Sequence, residues 1–237
     1  MEAQPQALQP LLDAPGFGAI RRAIGRLLHW HYRLFRHQRH RGFVLERVDG
    51  VPLLVIPEVL NPRLMRTGEF FAQQLGADLL PPDAEVLDMG SGSGVCALFA
   101  ARYARRVVAV DISPAAVRCT RVNTLLHQCE DRVEVLQGDL FAPLTGRRFD
   151  VVLFNPPFLH GTPHNDADRA WRSTDVAQRF ASQLRDYLTP SGFALVLLSS
   201  YGGARAFISQ FHSHGFSLSV VAERTFVNER LAIVRLS

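Results

Sequence analysis

The chain has 237 residues, 47% hydrophobic and 20% charged, which suits one α/β unit with a small appendage and excludes two large domains. Its formal net charge of +4 sets 26 basic residues, every one an arginine, against 22 acidic ones, an excess too mild to single out nucleic acid as the partner. There is no run of eighteen apolar residues and no charged-then-apolar leader after Met1, and Cys96, Cys119 and Cys129 lack metal-ligand spacing, so a cytoplasmic protein with neither membrane span, disulfide framework nor metal is expected.

Residues 1–10 are rich in Gln, Pro and Ala and read as disordered. Between Phe17 and Arg41 stand seven arginines and four histidines with no acid, while Ile20, Ile24, Leu27, Leu28, Leu34 and Phe35 fall on one stripe. That is the pattern of a basic amphipathic helix. Three uses stay open for it: a solvated arginine face over a core-packed stripe, contact with RNA, or contact with an acidic protein. Phe43–Val48 and Val51–Ile56, joined by Asp49-Gly50, predict a β-hairpin with Pro52 on an edge. Residues 1–57 thus make an N-terminal extension, and residues 58–237 the main domain.

Glu85–Asp88 reads as a buried strand and Val95–Ala101 as the apolar start of a helix, with Met89-Gly90-Ser91-Gly92-Ser93-Gly94 in the bend. Glycines there let the backbone take positive φ and approach a nucleotide-like ligand. A dinucleotide fingerprint needs its third glycine where this chain has Val95, so the spacing weighs against NAD and for S-adenosylmethionine. Asp88 closes the strand and suits the amino end of that ligand. The next strand, Arg106–Val110, delivers Asp111, which suits the ribose hydroxyls. Asp111-Ile112-Ser113-Pro114 also reads as a helix start, with Ser113 as cap and Pro114 in the first turn. A helix to about Cys129 and a strand Val133–Leu136 then lead to Gly138-Asp139-Leu140, where Asp139 suits an adenine amino group or is a solvated turn residue.

The fourth strand of this series, Phe149–Phe154, is a near-continuous apolar run of the kind buried on both faces of a parallel sheet, and it stops at Asn155-Pro156-Pro157-Phe158. Two prolines remove two N–H donors and restrict Asn155. The Asn155 side-chain oxygen and the Pro156 carbonyl are thereby candidates to hold one NH₂ group as paired acceptors, with Pro157 stiffening the corner. Phe158 is a candidate cover for that group and for a sulfonium methyl, an attraction of about 0.5–2 kcal/mol. In isolation the same four residues read as an ordinary proline turn.

A polar loop, Gly161–Asp166, follows and is a candidate acceptor entrance, with His160, His164 and Asp166 facing substrate or solvent. A helix over about Thr174–Leu188, a Pro190-Ser191-Gly192 turn, a strand Phe193–Leu198, a helix near Gly203–His214 and strands near Ser217–Arg224 and Arg230–Leu236 complete seven strands of an α/β sheet.

Val86–Val95 and Phe154–Phe158 together resemble the donor and Asn-Pro-Pro-aromatic motifs of the class I methyltransferases, and within them the HemK-type (PrmC-type) enzymes that methylate a glutamine side-chain amide. The likeness covers residues 58–237; Arg169-Ala170-Trp171 and Glu229–Leu236 are similar to the short branch that lacks a large N-terminal domain. The resemblance implies a Rossmann-like, mostly parallel sheet whose last strand inserts antiparallel beside the fifth. It implies S-adenosylmethionine held by Asp88, Gly90, Asp111 and Asp139, with the adjoining Ser91, Gly92, Gly94, Ile112, Leu140, Thr67 and Asn155 completing the pocket, and the acceptor gripped by Asn155 and Pro156. Asn61–Gly68 keeps the family's proline and threonine but carries arginines, Arg63 and Arg66, where acids are common. Guanine-N2 methyltransferases of ribosomal RNA share Asn-Pro-Pro-Phe, so the motif fixes the atom methylated, a nitrogen, better than the molecule. The implied acceptor is a protein with an exposed glutamine loop, with a small-molecule amine or rRNA as the alternative; a cofactor-binding scaffold for RNA or protein is the non-enzymatic one.

Overall fold

The computed structural model describes Leu8 and residues 42–157, 159–160, 172–173, 175–200, 203–226 and 229–237. The basic segment 17–41, Phe158, and the loop carrying His164, Asp166 and Arg169-Ala170-Trp171 lie outside the described residues.

The hairpin forms as its sequence dictates: β1 (Val44–Val48) pairs antiparallel with β2 (Val51–Val55), Val48 opposite Val51. Asp49 and Gly50 both take left-handed φ, 48° and 79°, the geometry that a two-residue turn between twisted strands requires. Two short helices follow that the sequence reading did not anticipate. In α1 (Pro62–Met65) Asn61 caps the N–H groups of Arg63 and Leu64, with Pro62 in the first turn. In α2 (Thr67–Gln74) Phe70, Phe71 and Ala72 are buried.

The main sheet contains β3 (Glu85–Met89), β4 (Arg106–Asp111), β5 (Val133–Gln137), β6 (Phe149–Phe154), β9 (Leu188–Ser199), β10 (Leu218–Thr225) and β11 (Arg230–Leu236). Their spatial order is β10-β11-β9-β6-β3-β4-β5. The five from β9 to β5 run parallel, and β11 lies antiparallel between β9 and β10, as the family resemblance implied. Between β6 and β9, β7 (Leu159–His160) pairs parallel with β8 (Arg172–Ser173), joining the two ends of the long loop.

Strand periodicity sorts the apolar side chains into two layers. Val86, Val107, Ala109, Val151, Leu153, Leu231 and Ile233 pack with α2, α3 (Val95–Ala100), α4 (Pro114–Leu126) and the hairpin residues Val48, Leu53 and Val55. Leu87, Val108, Val110, Val152, Phe154, Ala232 and Val234 pack on the other face with α5 (Val176–Leu184) and α6 (Ala204–Ser213). Leu8 belongs to that second layer at 4% exposure, which corrects the reading of that position as disordered.

Two other expectations shift. The helix proposed over 174–188 is α5 followed by a 3₁₀ turn, Arg185–Tyr187. The Pro190-Ser191-Gly192 turn lies inside β9 as an irregularity, since Phe149 pairs with Leu188 and Val151 with Phe193. Asp150 pins it, its Oδ1 accepting from Thr189 Oγ1 at 2.9 Å and its Oδ2 from Glu85 N–H at 2.9 Å. Among the described residues no helix is long and apolar enough to cross a membrane.

One buried side chain joins hairpin, helix and glycine bend. Asn123 Oδ1 accepts from the Leu54 N–H at 2.8 Å, and its Nδ2 donates to the carbonyls of Leu54 at 2.7 Å and Ser93 at 2.9 Å. His127 Nε2, facing the Pro52 carbonyl at 2.6 Å, must be its donor and adds a second tie. Asn123→Ala leaves three backbone groups without that partner and is expected to lower unfolding stability in urea by roughly 2–4 kcal/mol; a loss below about 1 kcal/mol would show that the Asn123 hydrogen bonds do little to hold the hairpin.

Candidate active site

The site is built at the carboxyl edge of four adjacent strands, with Asp88 near the end of β3, Asp111 at the end of β4, Asp139 beyond β5 and Asn155 beyond β6. The chain passes from β3 outward to β5 and returns on the other side of β3 with β6. Ligands of open α/β sheets bind at such a reversal point. A surface depression of about 300 Å³ lined by Gly146, Arg147, Arg148, Gln183, Asp186 and Tyr187 adjoins the start of β6 instead, at the opposite edge.

The glycine bend is held by the fold on three sides. The Val110 carbonyl accepts from the N–H groups of Gly90 at 2.8 Å and Ser91 at 3.1 Å. Gly92, at φ 55°, donates its N–H to Asp111 Oδ2 at 2.8 Å. Gly94, at φ 80°, is required twice over, because a Cβ there would also lie 2.9 Å from Thr120 Cγ2 on α4. Ser91 turns inward, its hydroxyl 3.1 Å from Thr120 Oγ1. Gly90 and Ser91, both expected at the cofactor, thus spend their N–H groups inside the fold. Over Gly92 the space is open, the nearest atom to an added Cβ being the Gly90 carbonyl oxygen at 4.0 Å.

The carboxylates differ in environment. Asp88 is 3% exposed, and its Oδ2 accepts from the Ala97 N–H in the first turn of α3 at 2.9 Å. Burial pushes its carboxyl up from 3.8 to about 7, opposed by the Ala97 hydrogen bond and reinforced by the nearby charge of Asp111. Asp111 is also raised by burial, against the hydrogen bonds it accepts from the N–H groups of Ser113 and Gly92. Beside it Ile112 is 36% exposed, an apolar surface at the same strand edge. Ser113 and Pro114 cap α4 as read from sequence, so Asp111 serves the helix start and the glycine bend together. Asp139 is more open and pairs with Arg179, Nη2 to Oδ2 at 2.7 Å. Leu140 follows at φ 49°, a left-handed conformation that costs a residue with a side chain about 1–3 kcal/mol and concentrates at functional sites.

At the Pro-Pro corner, Pro156 is buried and Pro157 half-buried. Asn155 Nδ2 points to the Thr67 hydroxyl at 3.5 Å, while its Oδ1 is buried and has no hydrogen-bond partner among the described residues. A buried carbonyl oxygen without a donor costs about 1–3 kcal/mol. An oxygen held so is a candidate acceptor for a ligand N–H.

Thr67 is buried at the start of α2. The next residue, Gly68, presses on Pro62 and lies near Val95, where a Cβ would meet Pro62 Cβ at 2.8 Å and Val95 Cγ1 at 3.5 Å. The α1–α2 segment is therefore a strap joining the glycine bend to Asn155. Sequence reading placed Thr67 here but not the strap; the signal was Asn61-Pro62, a cap followed by proline. The two arginines that replace the family's acids have partners within the fold: Arg63 faces Glu46 at 3.8 Å, and Arg66 lies over the Phe226 ring at 4.9 Å.

A family model described as "Methyltransferase small domain" matches residues 63–222. The chain belongs to that methyltransferase family. It is 28% identical to a putative protein N5-glutamine methyltransferase of Methanocaldococcus jannaschii, over 79% of this chain and 95% of the relative. It is 31% identical to the release factor glutamine methyltransferase of Salmonella typhimurium, over 79% and 72%, and 32% identical to the ribosomal RNA small subunit methyltransferase C of Alcanivorax borkumensis, over 64% and 43%. The chain spans about half the length of several such bacterial relatives, from 43% to 62%. Among solved structures, a methyltransferase from Pyrococcus furiosus superposes with a TM-score of 0.58 at 15% identity, covering 91% of this chain and 98% of that one, which establishes a shared fold.

The raised Asp88 carboxyl has a testable sign. The folded chain holds the proton up to about pH 7 whereas an ordinary aspartate releases it near 3.8, so this contribution to stability is complete below about 3.8 and is lost as pH rises through about 7. Asp88→Asn keeps an acceptor for Ala97 without the buried charge. In ligand-free protein, urea unfolding is expected to show the variant gaining roughly 2–4 kcal/mol on the parent between pH 5 and pH 8; a pH-independent difference would contradict the buried charge.

Proposed function

We propose that this methyltransferase uses S-adenosylmethionine and transfers its methyl group to the side-chain amide nitrogen of a glutamine in a protein such as a translation release factor. The observation that carries the reading is the buried Asn155 Oδ1, without a hydrogen-bond partner among the described residues, at a proline-stiffened corner beside a glycine bend. Bound S-adenosylmethionine supplies a methyl already activated by its sulfonium, so the protein needs no nucleophile of its own. Asp88 and Asp111 are the residues to hold the donor's amino and ribose ends, with Ile112 and Leu140 as apolar surfaces for its base. A cation brought to Asp88 offsets the burial that raises its carboxyl.

The acceptor side of the work falls to Asn155 and Pro156. Pro157 removes the N–H that would follow the Pro156 carbonyl, and both prolines fix φ, so the two oxygens are set before the acceptor arrives. Hydrogen bonds from the two amide N–H groups to these oxygens raise electron density on nitrogen as it begins to bond to carbon, stabilisation aimed at the transition state. As the nitrogen–carbon bond forms, the carbon–sulfur bond breaks to leave a neutral thioether, and the nitrogen gives up one of its two protons to solvent.

Support for glutamine over other NH₂ groups comes from relatives named for that residue, which include the archaeal protein matched over 95% of its length. A second reading, guanine N2 of ribosomal RNA, has its own support in the 32% identical rRNA methyltransferase, because guanine offers the same pair of N–H donors; segment 17–41 is then the part of the chain to meet RNA. A small-molecule primary amine or amide offers such a pair of donors too.

Incubating the protein with labelled S-adenosylmethionine and a lysate separated into protein, RNA and small-molecule fractions is expected to label protein at glutamine. Label in RNA alone would transfer the reading to guanine, and donor binding with no label in any fraction would favour a scaffold. Asn155→Ala is expected to lower transfer at least about a hundredfold with donor affinity changed less than about threefold. Comparable activity in the variant would remove the clamp from the mechanism.

A further inference from the structure

Asp139 does not stand alone at the donor edge. Arg179, on the first turns of α5, donates from Nη2 to Asp139 Oδ2 at 2.7 Å, and its Nη1 lies 3.9 Å from Asp175 Oδ2. No described residue engages Asp139 Oδ1 in a hydrogen bond. Arg and Asp are 39% and 45% exposed, so the pair contributes little to stability, and its value lies in orientation. Phe180, next to Arg179, stacks on Phe141 at 5.5 Å between ring centroids and on Phe154 at 4.3 Å. Phe141 lies two residues after Asp139, and Phe154 immediately precedes Asn155. One helix therefore braces the turn that carries Asp139 and the strand end that carries the acceptor corner. Leu140, held at φ 49°, shows that the turn is pinned against its own preference.

We infer that Arg179 is a positioning residue for the donor's base: it clamps one oxygen of Asp139 and leaves the other to accept from the exocyclic amino group of adenine. This rests on the donor reading above. A carboxylate free to rotate in water discriminates poorly between an amino and an oxo group, whereas one held in a single orientation presents an acceptor to the amino group and a repulsive lone pair to the oxo group. The ion pair of Arg179 Nη1 with Asp175 Oδ2, at 3.9 Å, extends the same brace to the residue that immediately precedes α5.

The test compares binding of S-adenosylhomocysteine with that of S-inosylhomocysteine, which carries oxygen in place of the amino group, by calorimetry on the full chain. The unsubstituted protein is expected to prefer the amino compound by about tenfold. Arg179→Gln is expected to reduce the preference to within about threefold of parity with an unchanged melting temperature, and Arg179→Lys to restore part of it. Asp139→Asn combined with Arg179→Gln should then add nothing further. A preference undiminished in Arg179→Gln, or absent from the unsubstituted protein, would overturn the role of Arg179 while leaving donor binding intact. Failure of the unsubstituted protein to bind either compound would overturn the donor assignment and the Arg179 role together.

Discussion

The left-handed bend between β3 and α3 is the constraint on which the rest of the site depends. Three residues with positive φ in five positions make a reversal too open to hold its own shape, and the fold supplies the missing restraint from neighbouring elements. The end of β4 binds it through the Val110 carbonyl and the Asp111 carboxylate. Helix α4 backs it with Thr120, whose hydroxyl meets Ser91 Oγ and the Gly92 carbonyl, and Asn123 ties Ser93 to the hairpin. The hairpin, although it precedes the sheet in sequence, is thereby part of what keeps the ligand-facing backbone in place.

The same edge concentrates features that work against stability: a buried carboxyl at Asp88, a second at Asp111, a left-handed leucine and an amide oxygen at Asn155 that finds no hydrogen-bond donor among the described residues. In the function proposed above, each serves to grip a cationic, base-containing ligand or an NH₂ acceptor. The two apolar layers behind the strands, dominated by Val, Leu and Phe with almost no exposure, supply the burial that offsets them. Buried polar and strained groups clustered on one edge of an otherwise regular core are what a binding site imposes on a fold.

Much of this was legible from residue order. Asp49-Gly50 announced the hairpin turn, continuous apolar runs gave the parallel strands, and Ser113-Pro114 gave the start of α4. The glycine spacing marked the left-handed bend after β3, and Asn155-Pro156-Pro157 marked the corner after β6. What was missed depends on partners distant in sequence or on helices too short for periodicity to register. Helix α1 has four residues, and only its Asn-Pro cap betrays it. The bulge in β9 looked like a turn because Pro190 and Gly192 favour one; Asp150 and a close approach of Gly192 to the Phe149 carbonyl absorb it into the strand. The inward orientation of Ser91 and the pairing of Asp139 with Arg179 need α4 and α5 to be placed first.

The central claim is that one corner holds an amino group in line with an activated carbon on sulfur. A crystal structure of the protein with S-adenosylhomocysteine and a glutamine-containing acceptor peptide tests it most directly. The account predicts the glutamine amide nitrogen within about 3 Å of both Asn155 Oδ1 and the Pro156 carbonyl oxygen, with its open side facing the sulfur. Sulfur and the Asn155 amide in separate cavities, with no common line of approach, would contradict it.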